Sequence, residues 1–187
     1  MVDQQQFDDL VYRCFHLLNG VVNPGVIIGK EVNIVNTDEF FEEYSEVVGH
    51  PTDGGVPPLS IVVDYVDGSK EMVVLRDQIY DYCRKYNREK DWETVVLFIV
   101  CHELSHAEQM INYNAYNYSS TYRDAVEMGA DGNAYRFIIN YTQWLANNLN
   151  IKINMGMMAS GYYESALCRC IAEESIKYCQ TPINWSL

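Results

Sequence analysis

The amino-acid sequence predicts an α+β fold in which helices dominate and a small, mainly antiparallel sheet completes the structure. Apolar residues recur at helical spacing in most of the chain, whereas β-rich runs are confined to its first half. One Asp-Gly dipeptide separates two of these runs and marks a hairpin. The chain has 187 residues, of which 48% are hydrophobic, so it can bury one core.

The N-terminal part begins with an amphipathic helix predicted over residues 5–18, with Gly20 as its stop. Alternating apolar residues in 26–35 suit one or two short strands, and a helix is expected at 38–48. The segment 50–58 is rich in proline and turn residues and is predicted to be a loop. The inner face of the first helix is predicted to consist of Phe7, Leu10, Val11, Cys14, Phe15 and Leu18.

The strongest strand signal lies in residues 59–76, where the turn Asp67-Gly68 joins two runs rich in β-branched residues. The elements predicted in the rest of the chain are all helices. The expected helices cover about 77–87, 92–112, 120–149 and 160–178.

The most specific motif is the string HELSH at residues 102–106, which matches the pattern HExxH. Histidines at i and i+4 share one helix face, so His102 and His106 can reach the same metal ion. Glu103 projects close to that ion, where it can take a proton from water. The apolar run 95–101 and a possible N-cap at Asp91 favour a buried helix here.

A third metal ligand is expected downstream, because a catalytic zinc usually has three protein ligands and one open position. Both other histidines lie upstream of the motif, but Glu127 and Asp131 share one face of the predicted helix 120–149. Glu127 can bind the metal, and Asp131 can accept a hydrogen bond from the outer nitrogen of a ligand histidine. The small residues Gly129 and Ala130 would let this helix approach the first one closely.

These two motifs resemble those of the gluzincin metallopeptidases, which carry HExxH on one helix and Glu-xxx-Asp on the next. The region 59–140 looks similar to the small ImmA/IrrE-type peptidases of bacteria and phages. The resemblance implies a single zincin-like domain over residues 1–187, in which a strand flanks the active-site helix and pairs with extended substrate. The implied parts are an N-terminal elaboration at 1–58, a metallopeptidase core at 59–140 and a C-terminal helical part at 141–187. The implied roles are Zn²⁺ ligation by His102, His106 and Glu127, general base for Glu103 and support of a ligand for Asp131.

The expected reaction is hydrolysis of a peptide bond in a protein or peptide substrate. Peptidases of this kind usually add a donor that stabilises the oxyanion, and no histidine follows His106. A tyrosine would have to serve, and the residues leave the choice open. The candidates are Tyr113, Tyr116, Tyr118 and Tyr122 between the motifs, and Tyr162 and Tyr163 near the C-terminus.

Composition limits the possible partners and location. A net charge of −13 argues against nucleic-acid binding through phosphate contacts, and the scattered acids are best interpreted as favouring solubility. No apolar run approaches the roughly 18 residues of a membrane span, and the acidic N-terminus does not resemble a secretory signal. A cytoplasmic protein, or one in the host cytoplasm or virion if phage-encoded, is therefore expected.

The six cysteines are expected to be reduced and packed rather than to form a second zinc site. Three lie in apolar helical segments, and the other three lack paired CxxC spacing and a neighbouring histidine. The first group is Cys14, Cys83 and Cys101, and the second is Cys168, Cys170 and Cys179.

Three function classes remain open from the sequence. The first is an active zinc peptidase. The second is a zincin-fold protein with a binding or structural role, for example a phage particle or assembly component, that keeps its metal for stability. The third is an acidic inhibitor or partner-binding protein in which the motif is incidental.

Overall fold

The computed structural model describes residues 2–48, 57–109, 111 and 113–159. Most of the predicted loop 50–58, the predicted helix 160–178 and the three C-terminal cysteines lie outside these residues. Within them the predicted helix-dominated α+β class is confirmed. The elements in chain order are α1 (Gln4–Leu18), β1 (Asn33–Val35), α2 (Thr37–Val48), β2 (Ser60–Asp64), β3 (Lys70–Leu75), α3 (Arg76–Lys85), α4 (Trp92–His106), α5 (Tyr113–Tyr118) and α6 (Ser120–Leu149).

The three strands form one mixed sheet in the order β1-β3-β2. β2 and β3 make the predicted hairpin and pair in antiparallel fashion, with Val62 opposite Met72. β1 pairs in parallel with β3, so the sheet is mixed, with one parallel pairing that the sequence did not predict beside the antiparallel hairpin. A parallel pair needs a long crossover, and here the crossover between β1 and β3 contains α2 and β2. No local sequence pattern could reveal that β1 pairs with β3.

Helix α1 supports the prediction of an amphipathic helix in detail, because the buried residues are the six assigned to its inner face. Its N-terminus is capped by Asp3, whose carboxylate accepts hydrogen bonds from the backbone N–H groups of Gln5 and Gln6. The strand predicted at 26–35 is shorter than expected. The Asn19 side chain bonds both the backbone N–H and the C=O of Ile28, at 2.9 and 2.8 Å, and replaces a neighbouring strand there.

Helix α4 runs through the core and packs against α1, α6 and β2. Its buried residues cover most of its circumference between Thr94 and Ser105, as its apolar sequence predicts. Two details differ from the prediction. The helix ends at His106 instead of continuing to 112, and Asp91 occupies the N-cap position without a capping hydrogen bond. The Asp91 carboxylate instead accepts a hydrogen bond from the Asn154 side chain at 2.9 Å.

Helix α6 has the predicted bounds of 120–149 and carries Glu127 and Asp131, the two acidic residues predicted to lie near the histidines of α4. The Ser119 hydroxyl caps its N-terminus by accepting from the Tyr122 N–H, and Asn150 ends it in the left-handed conformation. The short helix α5 lies between α4 and α6, in a stretch for which no helix was predicted, and it packs on α6. Across the described residues, none of the helices combines the length and the apolar character that a membrane span requires.

Candidate metal centre

Three side chains predicted as metal ligands come together between the last turn of α4 and the first half of α6. The Nε2 atoms of His102 and His106 lie 2.9 Å apart. The Oε2 atom of Glu127 lies 3.2 Å from the first nitrogen and 3.4 Å from the second. These residues could hold a metal ion. The i, i+4 spacing on α4 brings the two imidazoles together, and the packing of α6 on α4 adds the carboxylate.

The outer nitrogen of each imidazole has its own acceptor. His102 Nδ1 lies 2.8 Å from Asp131 Oδ1, and His106 Nδ1 lies 2.8 Å from Gln109 Oε1. The orientation of the Gln109 amide is fixed at its other end, because Nε2 donates to the Val126 carbonyl at 3.1 Å. Both Nδ1 atoms therefore act as donors, and in the neutral imidazoles the lone pairs are on the two Nε2 atoms.

The donor set therefore fits a divalent cation. Two imidazole nitrogens and one carboxylate oxygen lie close enough together to share one cation, and a cation bound there would satisfy all three. Zinc with bond lengths of about 2.0–2.1 Å would separate tetrahedral ligand atoms by roughly 3.3–3.4 Å. The three separations of 2.9, 3.2 and 3.4 Å are close to this spacing. Two imidazoles and a carboxylate also match the ligand types of catalytic zinc sites.

The electrostatics of the metal-free cluster point the same way. Burial acts to lower the pKa of His102, but the carboxylates of Asp131 and Glu127 outweigh it and raise the pKa to about 10. Burial acts to raise the pKa of Glu127, but its contacts with His102 and His106 hold the pKa well below the usual range. Asp131 is itself 5% exposed. The cluster thus stabilises positive charge at the point where the three ligand atoms meet.

Glu103, the predicted general base, lies on α4 beside the two histidines but outside the ligand set. Its side chain is 4% exposed, and its Oε1 accepts a hydrogen bond of 2.6 Å from the Ser60 hydroxyl. Ser60 begins β2, which among the described strands pairs only with β3 and so forms an edge of the sheet. The contact connects that edge strand directly to the helix that carries both histidines.

Among the tyrosines between the motifs, the structure places Tyr116 at the site. Its hydroxyl donates to Glu127 Oε1 at 2.8 Å. Burial raises the pKa of Tyr116, and the charge of Glu127 adds to this effect. Tyr118, on the same short helix, is 90% exposed and makes no comparable approach. Tyr162 and Tyr163 lie outside the described residues.

Sequence reasoning missed two residues of the site, Gln109 and Ser60, and it left open which of the tyrosines between the motifs approaches the cluster. Gln109 follows His106 by three residues, a helical spacing that could have suggested the contact. Ser60 is 43 positions from Glu103, and no local pattern marks it.

No family model matches this chain, and neither a curated protein nor a solved structure is found to be similar to it.

Proposed function

We propose that this protein is a zinc-dependent metallopeptidase of the gluzincin type, which hydrolyses peptide bonds of a protein substrate. The observation that supports it best is the convergence of His102 Nε2, His106 Nε2 and Glu127 Oε2, with both outer nitrogens held by acceptors. Three protein ligands leave room for a fourth position, as catalytic zinc sites require.

The metal would supply Lewis-acid polarisation of the scissile carbonyl and would lower the pKa of water toward neutrality. Glu103 is positioned to act as the base because it lies one residue after His102, on the turn that carries both ligand histidines. Ser60 engages Glu103 Oε1, so proton transfer is assigned to Oε2. Glu103 would accept the proton of the attacking water at this oxygen and deliver it to the leaving amine.

Strand β2 offers a way to hold an extended substrate. An edge strand can bind a peptide through backbone hydrogen bonds without requiring a particular side-chain sequence. Because Ser60 on β2 contacts Glu103, a peptide added along this strand would run past the base. This arrangement agrees with the role that the gluzincin resemblance implies for the strand.

The experiment compares wild type with two variants. Metal analysis of purified protein should give one zinc per chain, and unfolded protein substrates should be cleaved. Glu103→Gln should keep the zinc and lose cleavage, since only the base is removed, whereas His102→Ala should lose both. If the wild type contains no stoichiometric zinc, the metal site is refuted. If zinc is bound but Glu103→Gln cleaves as fast as wild type, catalysis by this site is refuted.

A further inference from the structure

The two oxygens of Glu127 have different surroundings. Oε2 faces both imidazole Nε2 atoms, at 3.2 and 3.4 Å. Oε1 instead accepts the hydrogen bond from the Tyr116 hydroxyl at 2.8 Å. The carboxylate therefore has one oxygen directed at the metal position and one oxygen already occupied by a donor.

The hydrogen bond from Tyr116 comes from a partly buried side chain on a separate element. Tyr116 lies on α5, which packs on α6, the helix that carries Glu127. The Tyr116 phenol is protonated at neutral pH and can donate one hydrogen bond. An ionised carboxylate can only accept hydrogen bonds, so Tyr116 is the donor and Glu127 Oε1 is the acceptor. The contact thus fixes the rotation of the carboxylate about its terminal bond, which is otherwise a broad torsion.

The orientation of this carboxylate decides how many ligand atoms the protein provides. Glutamate can bind a metal through one oxygen or through both. With one oxygen, the set is two nitrogens and one oxygen, and a tetrahedral ion keeps its fourth position free. With both oxygens, a further protein atom enters the coordination sphere and competes for the position that the reaction needs.

We propose that Tyr116 is a positioning residue that restricts Glu127 to one-oxygen coordination and so keeps the fourth position of the metal open. This inference rests on the proposed metal site. It gives the Tyr116 hydroxyl a function beyond packing. A phenylalanine could fill the same space, but it could not donate the hydrogen bond to Glu127 Oε1.

The test replaces the hydroxyl alone. Tyr116→Phe keeps the ring, and Tyr118→Phe on the same helix is the matched control, since that side chain is 90% exposed. Metal-free proteins are loaded with Co²⁺, whose visible absorption is strong in four-coordinate sites and much weaker when coordination increases. Wild type and Tyr118→Phe should show the intense spectrum. Tyr116→Phe should lose most of this intensity, because the released Oε1 binds as well.

A second measurement needs no variant. X-ray absorption at the zinc edge of the wild-type protein should show one carboxylate oxygen, together with two imidazole nitrogens, at about 2.0 Å. Two carboxylate oxygens in the wild type, or a Tyr116→Phe cobalt spectrum equal to that of Tyr118→Phe, would overturn the inference. Absence of metal binding in the wild type would instead refute the site itself. Metal binding without peptide cleavage would refute the proposed activity and leave this inference standing.

Discussion

Replacing Ser60 by alanine removes the hydrogen bond that connects strand β2 to the proposed general base. The Ser60 hydroxyl donates to Glu103 Oε1 at 2.6 Å, and both side chains are buried. Alanine leaves the strand and its packing intact but deprives a buried carboxylate of a donor. The consequence should therefore be a loss of stability that depends on the charge of residue 103.

The expected magnitude follows from the type of hydrogen bond. A bond to a charged group contributes about 1.5–3 kcal/mol, whereas a bond between neutral groups contributes about 0.5–1.5 kcal/mol. Ser60→Ala should thus cost about 2 kcal/mol in the wild type and about 1 kcal/mol in a Glu103→Gln background, where the amide oxygen is still an acceptor. For a chain of this size, each kcal/mol shifts Tm by about 2–4 °C, so the decreases should be roughly 4–8 °C and 2–4 °C.

The assay is thermal and urea unfolding of the wild type, the two single variants and the double variant, all in chelator so that metal binding adds no stability. Ser105→Ala serves as the matched control. This buried hydroxyl on the same helix donates only to the Cys101 carbonyl, at 2.8 Å, so its removal should cost the same in both backgrounds. Equal losses for Ser60→Ala in the two backgrounds would refute the proposed contact with the Glu103 charge.

Two further predictions concern the ligand cluster. In metal-free protein the pKa of His102 is raised from 6.5 to about 10, so the stability that its protonation provides is complete below pH 6.5 and is lost as the pH rises toward 10. The Tm of metal-free wild type should therefore fall over this range more steeply than that of His102→Gln, and parallel curves would contradict the prediction. Gly129→Ala should raise the stability of the metal-free protein but weaken its binding of zinc. The substitution adds up to about 1 kcal/mol of helix propensity, but its Cβ would lie 3.1 Å from Gln109 Nε2 and disturb the amide that holds His106. Calorimetry should show a higher Tm without metal together with weaker zinc binding, and unchanged zinc affinity would contradict the mechanism.

The parts of the site that could be predicted are those fixed by spacing within one helix. His102 and His106 share a face of α4 because they are four residues apart, and Glu127 and Asp131 share a face of α6 for the same reason. A catalytic zinc needs three ligands, and this requirement makes Glu127 a candidate third ligand. The inner face of α1 follows from the same periodicity, and it needs no knowledge of what packs against it.

The parts that could not be predicted depend on contacts between elements. Whether β1 pairs in parallel with β3 depends on the path of the crossover and not on the composition of β1. The end of α4 at His106 could not be predicted from the sequence either, because the polar residues that follow are compatible with a longer helix. The sequence does not distinguish Tyr116 from the other tyrosines between the motifs, because only the position of α5 brings its hydroxyl to 2.8 Å from Glu127 Oε1.

The contacts that escaped prediction share a physical role, which is to orient side chains that helix spacing has already brought near. Ser60 holds one oxygen of Glu103, Tyr116 holds one oxygen of Glu127, and Gln109 holds the outer nitrogen of His106. The spacing of residues on a helix fixes the face from which a side chain projects, but it leaves the rotation of the imidazole ring or carboxylate plane free. A metal site needs that rotation to be fixed as well. All three orienting groups come from outside α4 and α6: Ser60 from β2, Tyr116 from α5 and Gln109 from the turn that follows α4. The coordination geometry at the proposed metal site should therefore depend on the elements around α4 and α6, whereas metal binding itself should depend on the ligands that α4 and α6 carry.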